Sequence, residues 1–130
     1  MAPTEPSSKK RTARGRAQLG LWRAAFALCA VSVLVLSLLP PSQELPTTGW
    51  DKSNHMLGFA VLAVLGHFAW PGRRWPMLLG LLTYGGLIEV LQSFTPDRFA
   101  EVGDLVADGV GLLAGEALAT LYLRLVTARM

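Results

Sequence analysis

Charged and amide residues that can take part in catalysis or binding recur at helical spacing in otherwise apolar stretches of the chain. Three pairs lie three or four positions apart: Asp51 with His55, Glu89 with Gln92, and Asp104 with Asp108. Residues at these separations lie on one face of an α-helix. A histidine beside carboxylates can act as a general base or ligate a divalent metal, and carboxylates also bind the amines or hydroxyls of a ligand. The spacing therefore predicts three polar helix faces that can share one site.

The stretches that carry these pairs have the composition of membrane helices. The chain has 130 residues, of which 52% are hydrophobic and only 16% charged, a balance that is not typical of a soluble domain. Four segments approach the roughly 20 apolar residues that cross a bilayer. They are Leu21 to Leu39, Asn54 to Trp70, Trp75 to Phe94 and Asp104 to Leu123. We therefore predict an all-α integral membrane bundle of four transmembrane helices, with residues 21–130 as the membrane domain.

The distribution of basic residues predicts the orientation of this bundle. Lysine and arginine in short flanking segments stay on the cytoplasmic side of a membrane. Basic residues cluster before the first segment, between the second and third, and after the fourth: Lys9, Lys10, Arg11, Arg14, Arg16, Arg23, Arg73, Arg74, Arg124 and Arg129. Only Lys52 and Arg98 fall on the other side. Both termini are therefore predicted to be cytoplasmic, and the formal net charge of +3 needs no nucleic-acid partner to explain it.

The first 20 residues differ in composition from the rest of the chain. They contain proline, serine and charged residues without an apolar face, so residues 1–20 are predicted to be a disordered basic cytoplasmic tail. The first apolar segment resembles the core of a signal peptide, but no small-x-small cleavage site follows it. We interpret it as an uncleaved helix.

On this topology the polar pairs fall near the outer membrane face. With a rise of about 1.5 Å per residue, Glu89 and Asp108 lie on the order of one to two helical turns below the outer edge of the bilayer. The predicted ligand-binding cluster has eight members: Asp51, Lys52, His55, Glu89, Gln92, Arg98, Asp104 and Asp108. An ionised carboxylate inside a span costs about 3 kcal/mol by insertion scales, so such residues usually face the bundle and mark a site. Capping of a helix start is the alternative for Asp51 and Asp104, but it does not account for Glu89, which begins no helix.

Glycine residues lie beneath the polar groups on the same helix faces. The predicted helix-packing positions are Gly58, Gly85, Gly111 and Gly115. Small residues let helices approach closely in lipid, and Gly111 to Gly115 has the small-x-x-x-small form. We therefore expect the second, third and fourth helices to pack together under the polar cluster. The first helix lacks such a stripe and is expected at the periphery.

Three segments together resemble the VanZ-like membrane protein family. They read DKSNHMLGF from Asp51, GLIEVLQSFTPDR from Gly86 and DLVADGVGLLAG from Asp104. The family pattern runs D-K-x-x-H, E-x-x-Q, R and D-x-x-x-N followed by glycines, and its order and spacing are kept over half of the chain. The resemblance implies a small bacterial inner-membrane protein, in a family whose founding member is associated with resistance to the glycopeptide teicoplanin. The chain departs from the pattern at Asp108, where the family usually has asparagine, so it carries an additional carboxylate beside Asp104 and Glu89.

Three functions are compatible with these residues. The first is recognition of the polar headgroup of a lipid or cell-wall precursor, with Arg98 and Lys52 pairing to phosphate and carboxylates binding amines or hydroxyls. The second is an enzyme in which His55, oriented by Asp51, acts as a general base, or with Glu89 and a further aspartate binds a divalent metal. The third is a structural or assembly protein whose polar cluster holds the helices together.

Several properties are left unassigned by the sequence. No serine, cysteine or metal motif of known spacing accompanies His55, so no catalytic residue, metal or cofactor is predicted. The lipid bilayer is the expected partner, and the choice between a monomer and a homo-oligomer stays open. His67 and Glu116, nearer the predicted inner face, are assigned no role.

Overall fold

The computed structural model is all-helical over the residues it describes, which are 2–4, 7–39, 51–96 and 100–130. Its four helices are α1 (Ser8–Leu38), α2 (Asp51–Ala69), α3 (Arg74–Gln92) and α4 (Val102–Ala128). No strand occurs in these ranges. Each predicted apolar segment corresponds to one helix, and the predicted all-α fold is confirmed.

The exterior of the bundle is apolar. Large hydrophobic side chains on all four helices are 60–71% exposed, among them Leu28, Leu57, Leu79 and Leu113. By length and composition α1 and α4 are apolar enough to cross a membrane. The 19 residues of α2 and of α3 extend over about 28 Å, against a hydrocarbon core of about 30 Å. These features indicate a membrane protein, while the crossing of all four helices and the side on which the termini lie stay predictions.

α1 is longer than the apolar segment predicted for it. It begins at Ser8, so the helix continues through most of the segment for which the sequence predicts disorder. Its first turns are exposed on all sides. Alanine, arginine, lysine and glutamine favour helix, and extending an existing helix costs less free energy than nucleating a new one. Once the apolar part of α1 is helical, extension of the helix through these polar residues is therefore favourable.

α2 and α4 run parallel and form the closest helix pair of the bundle. Gly111 lies directly against the backbone of Met56, and Gly115 lies against the backbone of Ala60. A Cβ added to Gly115 would be only 2.9 Å from Ala60 Cα. Glycine is required at both positions, because any side chain would occupy the space of the α2 backbone. Close approach of this kind favours helix association in lipid, where apolar burial gives little driving force.

The core lies where α2, α3 and α4 meet, and α1 packs outside it. Phe59, Leu62 and Ile88 are fully buried. α1 packs against α2 and α3 but has no buried residue of its own. The peripheral position expected for the first helix is therefore observed.

α1 is nevertheless joined to its neighbours by hydrogen bonds. Tyr84 Oη on α3 donates to Ala30 O at 2.5 Å. Arg23 Nε donates to Ala69 O, at the end of α2, at 3.1 Å. These bonds fix the position of α1 along both helices.

Candidate functional site

Polar residues from three helices meet at one end of the bundle, where α2 begins, α3 ends and α4 begins. Four of them are no more than 8% exposed: His55, Glu89, Asp104 and Asp108. We call these four residues the buried polar cluster. Charged groups buried in a membrane bundle are costly unless they are paired, and they mark functional sites.

His55 on α2 faces two aspartates of α4 and is hydrogen-bonded to one of them. Its Nδ1 lies 2.9 Å from Asp108 Oδ1, and its Nε2 lies 4.0 Å from Asp104 Oδ2. An imidazole that donates its Nδ1–H to Asp108 keeps Nε2 as an acceptor or metal ligand. Asp108 on α4 is therefore one residue that orients His55, and the role that the sequence predicts for Asp51 stays a prediction. The side chain of Asp51 lies outside the described part of the chain.

Lys52 on α2 forms a salt bridge with Glu101, which directly precedes α4. Lys52 Nζ lies 2.7 Å from Glu101 Oε2 and 3.7 Å from Asp104 Oδ1. The hydrogen bond from Lys52 holds the pKa of the Glu101 carboxyl below its ordinary value. Any stability from this pair is therefore present above the ordinary pKa of a glutamate and is lost as the pH falls through the lowered value. Because the pair is exposed to solvent, we expect it to contribute little stability.

Glu89 lies in the last turn of α3 and is joined to the start of α4. The backbone N–H of Glu101 donates to Glu89 Oε2 at 3.1 Å. Glu89 Oε1 is buried and has no hydrogen-bond partner among the described residues, and the same holds for Asp108 Oδ2. A buried acceptor without a donor costs about 1–3 kcal/mol. The buried polar cluster therefore has acceptor capacity that the described side chains and backbone do not satisfy.

His55, Glu89 and Asp104 approach one another closely although each comes from a different helix. One nitrogen or oxygen from each residue lies within 4.8 Å of those from the other two. Three nitrogen or oxygen atoms with lone pairs, placed this close together, can ligate a cation or accept hydrogen bonds from an ammonium or hydroxyl group. The imidazole, held by Asp108, also has the arrangement of a general base.

Three members of the predicted eight-residue cluster are placed elsewhere or are not described. Gln92 is buried, but its Nε2 donates to Ser37 O on α1 at 2.9 Å, so it joins α3 to α1. Arg98 and the side chain of Asp51 lie outside the described part of the chain. Their predicted roles stay predictions.

The predicted packing glycines serve different contacts. Gly111 and Gly115 face α2, as described above. A Cβ on Gly85 would lie 2.6 Å from Asp108 Oδ2, so the absence of a side chain there makes room for the aspartate. A Cβ on Gly58 would lie 3.3 Å from Val33 Cγ2, so this glycine faces α1 rather than α4.

A second buried carboxylate, Glu116, lies toward the opposite end of the bundle. Arg74 Nε donates to Glu116 Oε1 at 2.6 Å, and His67 Nδ1 lies 3.0 Å from both carboxylate oxygens. Arg74 Nη2 also donates to Thr120 Oγ1 at 3.3 Å. Because Glu116 is paired with α2 and α3 at once, this group is well suited to hold three helices together.

Sequence reasoning missed these contacts. The sequence could have indicated the pairing of Glu116 with Arg74, because the predicted topology places these opposite charges at similar depths in the membrane. Glu101 is absent from the predicted cluster, although it contacts Lys52 and Glu89. Glu101 could have been included because it lies just before a predicted helix and at the same depth as Lys52.

An apolar cavity of about 420 Å³ lies between α1 and α3. Its lining includes Phe26, Trp70, Met77 and Tyr84, with Arg73 as the charged residue. No member of the buried polar cluster lines it. This apolar cavity is therefore separate from the buried polar cluster.

Comparison with known proteins identifies a family match. The sequence model of a family described as VanZ/LLP1 matches residues 31–123, a range that includes all of α2 and α3 and the whole buried polar cluster. No curated protein and no solved structure shows significant similarity to the chain.

Proposed function

The chain belongs to the VanZ/LLP1 family, and on this premise we propose that it recognises the polar headgroup of an envelope lipid or of a lipid-linked cell-wall precursor. It does so as a multi-pass protein of the bacterial inner membrane. In the proposed orientation both termini are cytoplasmic. The buried polar cluster then lies near the outer face, where such headgroups are found.

The observation that carries this proposal is the unsatisfied acceptor capacity of the buried polar cluster. Glu89 Oε1 is withdrawn from solvent and receives no hydrogen bond from the described residues. Groups of this kind in a membrane bundle usually serve a ligand or an ion. The contrast with Glu116 supports the same conclusion, because that carboxylate has protein partners on both oxygens.

The charges around the site favour a ligand with hydrogen-bond donors. Carboxylates from Glu89, Asp104 and Asp108 are buried together, and the nearby Lys52 is already bound to Glu101. Ammonium and hydroxyl groups of a headgroup complement such acceptors. Arg98, predicted on the same side of the membrane, is the proposed partner for a phosphate group.

An enzyme acting on a lipid-linked substrate is the second candidate. The observation that favours it is the 2.9 Å contact between His55 and the fully buried Asp108. A carboxylate in this position fixes the tautomer of the imidazole and stabilises its protonated form. Under this candidate, His55→Gln abolishes turnover of a lipid that the variant still binds.

The experiment compares membrane abundance with envelope phenotype in cells that lack the native copy. Wild type, Glu89→Gln and Arg98→Ala are expressed, and glycopeptide susceptibility is measured because the family's founding member is associated with teicoplanin resistance. Headgroup recognition predicts normal abundance and loss of the phenotype in both variants. Glu116→Gln is the matched control, since it neutralises a buried carboxylate away from the site, and it should keep the phenotype.

The opposite result has a clear meaning. If the amount of Glu89→Gln in the membrane falls together with the phenotype, the buried polar cluster mainly holds the helices together. If both variants retain the phenotype at normal abundance, headgroup recognition through these residues is wrong.

A further inference from the structure

His55, Glu89 and Asp104 have the side chains of a metal site. Imidazole nitrogens and carboxylate oxygens are ligands of Zn²⁺ and other divalent transition metals. The three side chains are buried, and one donor atom of each lies within 4.8 Å of the other two. We propose that His55, Glu89 and Asp104 together bind a single divalent transition-metal ion.

The observed separations are close to those that a metal ion imposes. Two ligands that each lie about 2.1 Å from a tetrahedral zinc are about 3.4 Å apart. His55 Nε2 and Asp104 Oδ2 are 4.0 Å apart, so a modest side-chain movement brings them to that separation. The ligand atom of Glu89 approaches from α3 and lies within 4.8 Å of the other two, so its side chain moves by up to about 1.4 Å to complete the set.

Charge balance at this end of the bundle favours a cation. Three carboxylates, from Glu89, Asp104 and Asp108, are buried around one imidazole. The neighbouring ammonium of Lys52 is bound to Glu101 at 2.7 Å. A divalent ion would offset the negative charge and supply the partner that Glu89 Oε1 does not find among the described residues.

The surrounding hydrogen bonds orient the proposed ligands. Metal-bound histidines usually donate their other ring N–H to a carboxylate, which fixes the tautomer and the ring direction. Asp108 occupies this position, 2.9 Å from His55 Nδ1, and the ring then presents Nε2 toward Asp104. The backbone N–H of Glu101 similarly donates to Glu89 Oε2, so Oε1 is the oxygen available to ligate the metal.

The donor set also indicates the class of metal. An imidazole ligand suits zinc and related transition metals better than Mg²⁺ or Ca²⁺, which prefer oxygen ligands alone. Three protein ligands leave a coordination position for a further group. With the carboxylates taken up as metal ligands, a headgroup would bind at this position through its phosphate instead of through ammonium or hydroxyl groups. That last step rests on the proposed function, whereas metal binding itself needs no lipid.

Metal binding is tested on the purified full chain in detergent, carrying an affinity tag that contains no histidine. The protein is treated with a chelator, dialysed against Zn²⁺ or Mn²⁺ and desalted, and the metal content per chain is measured by mass spectrometry. Wild type should retain a single ion. His55→Gln, Glu89→Gln and Asp104→Asn should each lose it, whereas Asp108→Asn should keep the site with an affinity lowered about 10–100-fold.

Two controls separate a lost site from a lost fold. Glu116→Gln neutralises a buried carboxylate of α4 outside the site. Its amide oxygen can still accept from Arg74, so the variant should fold and bind metal like wild type. Helical circular dichroism and size-exclusion profiles of each variant should match those of wild type. Co²⁺ binding to the wild-type protein adds a measurement that depends on no variant, because its visible absorption bands should appear on loading and disappear when Zn²⁺ is added.

The proposal is overturned if wild type retains no more metal than Glu89→Gln, or if His55→Gln binds as tightly as wild type. Either failure is distinct from a failure of headgroup recognition, which is scored in cells. Metal bound by wild type and lost in Glu89→Gln, together with an unchanged envelope phenotype in Glu89→Gln cells, supports the metal site and contradicts the headgroup function.

Discussion

Asp108 shows how one buried side chain depends on two other helices. It is 0% exposed and lies 2.9 Å from His55 on α2. Its second oxygen occupies space that exists because residue 85 on α3 is glycine. The VanZ-like pattern usually has asparagine at this position, and either side chain presents an oxygen to the imidazole N–H. The exchange therefore changes charge while it keeps the hydrogen bond.

The first prediction separates these two properties of Asp108. We expect Asp108→Asn to keep a melting temperature close to that of wild type, since the amide oxygen still accepts from His55. Asp108→Leu has similar volume but no acceptor, so the buried Nδ1–H loses its partner at a cost of about 1–3 kcal/mol. Thermal unfolding in detergent, followed by circular dichroism, measures both. Equal stability of Asp108→Leu and wild type would show that the hydrogen bond is unimportant for the fold.

At the scale of helices, the close contact of α2 and α4 is set by backbone rather than by side chains. Gly111 and Gly115 lie against the backbone of Met56 and Ala60, whereas a Cβ on Gly109 of the same helix would meet nothing within 4 Å. Gly111 and Gly115 therefore face the α2 backbone, whereas Gly109 faces open space. This makes Gly109 a matched control for the other two.

We predict opposite effects of the same substitution at neighbouring positions. Gly111→Ala forces the helices apart and should lower the unfolding free energy by about 1–3 kcal/mol. Gly109→Ala should be neutral or raise it by up to about 1 kcal/mol, because it restricts the unfolded chain at a compatible site. Denaturation in mixed detergent micelles compares the two variants directly. A stable Gly111→Ala protein would contradict the backbone contact.

The helices and the four residues of the buried polar cluster could be predicted because periodicity reports which residues share a face. Periodicity does not report which neighbouring helix that face packs against. The sequence therefore suggested only Asp51, on the same helix, as a partner of His55, and the contact with Asp108 on α4 was not predicted. Gln92 shares a face with Glu89 but reaches α1. The helical extension to Ser8 was missed because the segment lacks an apolar face, although its residues favour helix.

At the scale of the whole molecule, two polar groups lie at opposite ends of the bundle. The buried polar cluster is at the start of α2, and Glu116 with Arg74 and His67 is at the other end. If α2, α3 and α4 cross the membrane, the two groups face opposite leaflets. The orientation of the chain then decides which of them meets the cell envelope.

Cysteine labelling tests the predicted orientation. Cys29 is the sole cysteine, so Cys29→Ser provides a background into which Thr95→Cys or Pro71→Cys is introduced. With both termini cytoplasmic, a membrane-impermeant maleimide added outside should label the Thr95→Cys protein and leave the Pro71→Cys protein unlabelled until the membrane is permeabilised. The reverse pattern would place the buried polar cluster on the cytoplasmic side and contradict its role toward outer headgroups.

The backbone contact of α2 and α4 has a mechanical consequence. His55 and Asp104 stand on two helices that cannot slide or rotate against each other without a clash at Gly111 or Gly115, so their separation is nearly fixed. Glu89 stands on α3, which is held by side-chain contacts that adjust more easily. A small tilt of α3 would change the distances to Glu89 alone. His55 and Asp104 would thus form the fixed part of the site, and the side chain of Glu89 would make any adjustment to the group bound there.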